Sequence, residues 1–156
     1  MESLFLGIDL GTSAVKAVLV DESGQVIASG HAESRVHQPR PSWQEQELDP
    51  VWESVKEAVG RALNDADAGR VRALSLSAAM HGMMAIDARG RALMPMLTWA
   101  DGRSAAQAEK LAEEHDRGAI FARTGCPVTA LYYPARLKWL KEHLPRVFDD
   151  AYGRRS

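Results

Sequence analysis

A chain of 156 residues, 46% hydrophobic and 26% charged, has the length of about one domain and the composition of a globular protein rather than a disordered one. Nineteen basic against twenty-one acidic side chains leave a net charge of −2 with no basic run, which argues against a nucleic-acid partner. No apolar run is long enough to span a bilayer, and no secretory signal is expected. Cys126 stands alone, so a reducing cytoplasm is the expected compartment and a buried inert thiol its expected role.

Between Leu4 and Asp21 two apolar, β-prone runs flank the turn Asp9-Leu10-Gly11-Thr12-Ser13. A second turn, Asp21-Glu-Ser-Gly24, leads into a third run, Gln25 to Gly30, and the whole reads as a three-strand meander. Its first loop is shaped for phosphate. Gly11 lets the backbone approach a ligand, Thr12 and Ser13 add hydroxyls to the loop amides, and Lys16 can neutralise phosphate charge. Asp9 would repel phosphate oxygens directly, so its expected work is to hold Mg²⁺ through water. Taken alone, the same residues also suit the polar turn of an ordinary hairpin. Neither the Walker A nor the dinucleotide glycine spacing is present.

His31 to Gln46 is polar and aperiodic, with Pro39 and Pro41, and is expected to cross the molecule in extended form. A helix follows, with Asp49 as N-cap, Pro50 at its first position and Gly69 beyond its end. Val51, Trp52, Val55, Ala58, Val59, Ala62 and Leu63 make its apolar face. Val71–Ser77 reads as a strand, parallel to its neighbour if the helix is the crossover. Met83–Asp87 and Ala92–Thr98 read as strands joined by the turn Ala88–Arg91. Helices are expected over Ser104–His115, Arg117–Arg123 and Ala135–His143, the last with Leu137 and Leu140 inward and stopped by Pro145. The order fits a mixed α/β sheet covered by helices.

Ligands of α/β sheets gather where strands end. Met80-His81-Gly82 and Trp99-Ala-Asp101-Gly-Arg103 leave such ends. An indole, a carboxylate, a guanidinium and an imidazole together suit a small hydroxylated or anionic molecule. Singly, each has a plainer reading: a core histidine, a surface ion pair, a core tryptophan.

Gly7-Ile-Asp-Leu-Gly-Thr-Ser13, Trp43-Gln-Glu-Gln46, Ala79-Met-His-Gly82, Leu97-Thr-Trp-Ala-Asp-Gly-Arg103, and Thr124-Gly-Cys-Pro127 with Leu137-Lys-Trp-Leu140 run in one order along the chain. In these the sequence resembles the FGGY carbohydrate kinases, the gluconate kinases more than the neighbouring xylulose kinases, which usually carry Gln in place of Ala79 and Asn in place of Ala100. The resemblance implies an actin/hexokinase/Hsp70-like (ribonuclease H-like) mixed sheet with flanking helices. Residues 1–156 would form the N-terminal part of the first of two kinase domains. It implies ATP and Mg²⁺ at Asp9, Gly11, Thr12, Ser13 and Lys16, with the metal at Asp9. It places the sugar at Met80, His81, Asp101 and Arg103, with Trp99 lining the pocket and Arg103 pairing with gluconate's carboxylate.

The implied reaction is ATP-dependent phosphorylation of gluconate to 6-phosphogluconate by a longer parent. The family's catalytic base, second phosphate motif and adenosine site have no counterpart in this sequence. The chain alone is therefore expected to be inactive. The other readings are a xylulose kinase, or a non-catalytic remnant that binds phosphate or sugar and self-associates as a homodimer through an exposed sheet edge.

Overall fold

Side chains alternate along a strand, so Leu4, Leu6 and Ile8 share one face and Phe5, Gly7 and Asp9 the other. In the computed structural model, which describes residues 2–151, the first set is buried and the second lies on the opposite face. Strand β1 (Leu4–Leu10) pairs antiparallel with β2 (Ala14–Asp21), and β2 with β3 (Val26–Glu33). The expected meander is present. Its second turn is tied by Asp21, whose carboxylate accepts from the Ser23 and Gln25 amides at 2.8 and 2.9 Å. These bonds hold the Asp21 carboxyl below its ordinary pKa, the Ser23 hydroxyl contributing most.

The chain divides into two compact units. The first runs to Val36 and resumes over Glu47–Met80; the second is His37–Gln46 with the described residues from His81 on.

In the first unit, helix α1 (Leu48–Leu63) leads through a 3-10 turn, Ala68–Arg70, into β5 (Val71–Ala78), while β4 (Glu45–Gln46) belongs to the second unit. The sheet order is β3-β2-β1-β5, with β5 parallel to β1, as the crossover through α1 requires. The helix begins earlier than its punctuation indicates. Glu47 is the N-cap and makes no side-chain cap bond, while Asp49 and Pro50 fall inside the first turn. The amides of that turn have no intrahelical acceptor, so proline is tolerated there and a carboxylate is favoured by the dipole.

Helix α1 buries Ser54, Ala58 and Ala62, with Val55, Val59 and Leu63 packed at the margin; Trp52, expected on the apolar face, is exposed. Small residues line the contact because helix and strand nearly touch. A Cβ on Gly30 of β3 would lie 1.8 Å from the Ala58 carbonyl oxygen. Strand β5 is an edge, and its Leu74 and Leu76 are 55% and 63% exposed.

In the second unit β4 pairs with β6 (Met96–Leu97) over two residues. Of the strand expected over Ala92–Thr98 only β6 remains, and its pairing with the strand expected over Met83–Asp87 reduces to bridges, Met83 with Leu97 and Ile86 with Ala92, around the turn at Asp87–Arg91. Pro95 interrupts the ladder because it has no amide to donate. The Asp87 carboxylate accepts from the Arg89 and Arg91 amides at 2.8 and 2.9 Å and fastens the turn.

Helices α2 (Ala105–Glu114), α3 (Arg117–Thr124) and α4 (Tyr133–His143) stand close to their expected places. Pro145 does stop α4, and it also opens α5 (Pro145–Ala151), a helix that the sequence pattern does not announce. The phase of α4 differs from expectation. Ala135, Arg136, Trp139 and Leu140 are buried, and Leu137 is exposed. Trp139 and Leu140 join Met83, Ala85, Met94 and Leu97 in the core of this unit. Among the described residues no helix is long and apolar enough to cross a membrane.

Candidate functional site

Strand register gathers the candidate residues of the first unit. Asp9 lies opposite Lys16 on β2 and beside Ser77 on β5, and Lys16 lies opposite His31 on β3. Directly paired residues project from the same face of a sheet. Ser77, Asp9, Lys16 and His31 thus form one polar row across four strands. Ser75, Gly7, Val18 and Ser29 form the next row, and together they line a shallow concavity of about 530 Å³.

The β1–β2 turn stands just beyond Asp9 and Lys16, the middle members of the polar row. Its closure brings the Gly11 amide to the Ala14 carbonyl at 3.0 Å. A Cβ on Gly11 would meet that oxygen at 2.7 Å, so the turn requires glycine. Ser13 is exposed on the turn, and its carbonyl accepts from the Ser34 amide at 3.0 Å. On the neighbouring parallel strand the Ala79 amide bonds the Leu10 carbonyl, which puts Met80 beside the same turn, 74% exposed. Asp9, Gly11, Thr12, Ser13, Lys16 and Met80 therefore gather at the carboxyl ends of a parallel strand pair.

His81, Trp99, Asp101 and Arg103 belong to the second unit. His81 sits at φ 62, in the left-handed region that non-glycine residues seldom adopt. Its ring stands edge-on to Tyr132 at 5.3 Å. Trp99 is 55% exposed. Asp101 and Arg103 are turned inward. The Asp101 carboxylate is fully buried, accepts the Gln44 amide at 2.7 Å and pairs with the Arg103 guanidinium at 2.8 Å. Arg103, its side chain 3% exposed, also pairs with Glu45 at 2.6 Å and lies over the Trp43 ring at 3.7 Å. Two carboxylates and an indole already surround the guanidinium that the sequence reading assigns to a sugar carboxylate.

The FGGY family of carbohydrate kinases, N-terminal domain, matches residues 4–152. The chain belongs to this family. It is 34% identical over 146 residues to the xylulose kinase of Escherichia coli (strain K12), spanning 93% of this chain and 30% of that protein. It is equally 34% identical, over 151 residues, to the gluconokinase of Bacillus subtilis (strain 168), spanning 97% and 29%. The crystal structure of gluconate kinase from Lactobacillus acidophilus superposes with a TM-score of 0.88 at 25% identity, over 96% of this chain and 30% of that one. The chain thus spans about 30% of the length of the curated relatives it matches. Its mixed sheet with flanking helices is that of the actin/hexokinase-like FGGY kinases.

Within this FGGY domain, structure adds residues that sequence reasoning missed. Glu45 completes the Arg103 pair from 58 positions away. Trp43 and Trp139, edge to face at 5.6 Å, flank the same guanidinium. Arg136, fully buried on α4, donates to main-chain carbonyls of the His81 and Trp99 segments. Burial lowers its pKa from the usual arginine value, and the nearby Asp101 charge works the other way. The signal for Arg136 is an arginine at the inward phase of a helix, hidden because the apolar pattern alone puts Leu137 inward.

Proposed function

We propose that this domain supplies the phosphate loop and the sugar-facing loops of an ATP-dependent carbohydrate kinase whose acceptor is a sugar acid of the gluconate kind. The observation that carries the reading is the row Ser77, Asp9, Lys16 and His31 beside the Gly11-Thr12-Ser13 turn. Loop amides, the Thr12 and Ser13 hydroxyls and the Lys16 ammonium take phosphate oxygens. Asp9 fits Mg²⁺ as an accessible carboxylate, since that ion keeps several waters and is shared between one or two carboxylates and the phosphates. When bound, Mg²⁺ supplies charge neutralisation to an in-line phosphoryl transfer that depends on positioning.

Met80, His81 and Trp99 are accessible and meet the sugar, the indole stacking on a C–H face and the imidazole bonding hydroxyl or carboxylate oxygens. Asp101 and Arg103 act from beneath by fixing the loop that carries Trp99. Ala79 and Ala100, where xylulose kinases usually carry Gln and Asn, favour gluconate. The equal likeness to a xylulose kinase keeps xylulose as the second reading. The lone thiol of Cys126 fits a reducing cytoplasm. The test is ADP release by the natural-length protein with Mg·ATP and either gluconate or xylulose. Gluconate-dependent release supports the reading, and release dependent on neither sugar overturns it.

Asp9→Ala in that protein is expected to weaken Mg·ATP engagement by about 1.5–3 kcal/mol, the range for a hydrogen bond to a charged group. It should leave the fold intact because the Asp9 side chain is not part of the buried core. An unchanged KM for Mg·ATP in a folded variant removes Asp9 from the site.

The 156-residue chain alone is expected to show no sugar-dependent ADP formation. Asp9 is assigned to the metal and Asp101 is buried against Arg103, so neither is free to take a hydroxyl proton. The same preparation should self-associate through β5, where an edge strand exposes Leu74 and Leu76. Sugar-dependent turnover, or a monomer at high concentration in sedimentation, contradicts the respective half of this expectation.

A further inference from the structure

Among the described residues the Arg136 guanidinium hydrogen-bonds no carboxylate; its bonds there go to backbone oxygens. Nε donates to Ala130 O at 3.1 Å, Nη1 to His81 O, and Nη2 to Thr98 O at 2.7 Å with Asp101 O at 3.3 Å. Three chain segments far apart in sequence thus meet on one planar group that is fully buried. A guanidinium suits this work because its five donors point outward in a fixed fork, whereas an ammonium concentrates its donors at one point.

Two of the segments matter to the sugar reading, the Met80-His81-Gly82 turn and the stretch Thr98–Asp101 that carries Trp99; the third is the loop before α4. His81 is held at a left-handed φ of 62, and the Arg136 bond to its own carbonyl, with Tyr132 against its ring, is what opposes relaxation of that turn. Tyr133 adds a second tie, its hydroxyl donating to Gly82 O at 3.2 Å. Helix α4 is itself anchored through the buried Trp139 and Leu140, so Arg136 stands on a fixed base.

We infer that Arg136 is a positioning residue, which sets the placement of the His81 turn relative to the Trp99 loop by gripping their carbonyls from α4. It touches no substrate. The sugar-facing identity of the two loops rests on the function proposed above, but the grip itself does not.

The experiment compares wild type, Arg136→Lys and Arg136→Met in the natural-length protein, by amide hydrogen exchange resolved to peptides and by calorimetric titration with gluconate and xylulose. In folded Arg136→Met, exchange should rise at least about tenfold in residues 81–83 and 98–103 while the β1–β3 meander and α2 keep wild-type rates. Arg136→Lys should fall between the two. Sugar affinity should drop about tenfold or more in parallel. If Arg136→Met fails to fold, Arg136→Lys decides by the same criterion. Unchanged exchange in the two loops, or an equal rise throughout the second unit, makes Arg136 ordinary core filling and overturns the inference. Wild type binding neither sugar overturns the sugar reading while the exchange rates still decide the grip.

Discussion

Arg103→Met should destabilise the protein by about 3–5 kcal/mol, the cost of leaving one partner of a buried pair without its counter-charge. The Asp101 carboxylate has no exposed surface and Arg103 only 3%, so water cannot replace the lost partner. The indole of Trp43 loses its cation at the same time. Adding Asp101→Asn should recover part of the loss, because it removes the stranded charge and still offers an oxygen to the Gln44 amide. Urea unfolding of the single and double variants measures both effects. In the natural-length protein, kcat/KM for gluconate and for xylulose should fall together, since the guanidinium is occupied by Asp101 and Glu45 and its loss disorders the Trp99 loop for either sugar. A loss confined to gluconate would instead show Arg103 reaching a substrate carboxylate.

The second large effect contrasts one substitution at two glycines. Gly30→Ala puts a methyl group 1.8 Å from the Ala58 carbonyl oxygen and 2.9 Å from the Ala62 nitrogen. Both obstacles are backbone of α1, so no side chain can swing aside and the helix must lift from β3. Overpacking commonly costs about 1–3 kcal/mol, and a clash with main chain belongs at or above the upper end of that range. Gly60→Ala lies in the same helix with nothing within 4 Å of the new carbon. There alanine should stabilise by about 1 kcal/mol through helix propensity. Thermal unfolding of both variants reads the difference as Tm shifts of opposite sign. A Gly30→Ala protein as stable as wild type would mean that β3 and α1 stand further apart than described.

Much of the first unit was legible from local pattern. The alternation of Leu4, Leu6 and Ile8, the acidic turns at Asp9 and Asp21, and the apolar stripe of α1 are signals carried by residues close in sequence. They sufficed for the meander and for the parallel β5, because crossover handedness and strand period leave few other arrangements. The placement of Asp9, Gly11, Thr12, Ser13 and Lys16 at one strand–turn–strand junction followed from the same neighbourhood.

The second unit was legible only in part, since its ordering contacts join residues that no periodicity connects. The full strands expected over Met83–Asp87 and Ala92–Thr98 fail for a local reason, the missing Pro95 amide. The larger gaps are long-range: Met83 and Leu97 form a bridge rather than the ends of a ladder. Arg103 looks free in the motif Trp99-Ala-Asp101-Gly-Arg103, and only folding reveals Glu45 beside it and two tryptophans around it. Arg136 reads as one more basic residue of an amphipathic helix until His81 O and Thr98 O, 55 and 38 positions away, arrive at its guanidinium. Pattern and turn chemistry choose elements and expose motifs; which charges are already spoken for depends on which distant segments share a buried volume, where an unpaired group costs most.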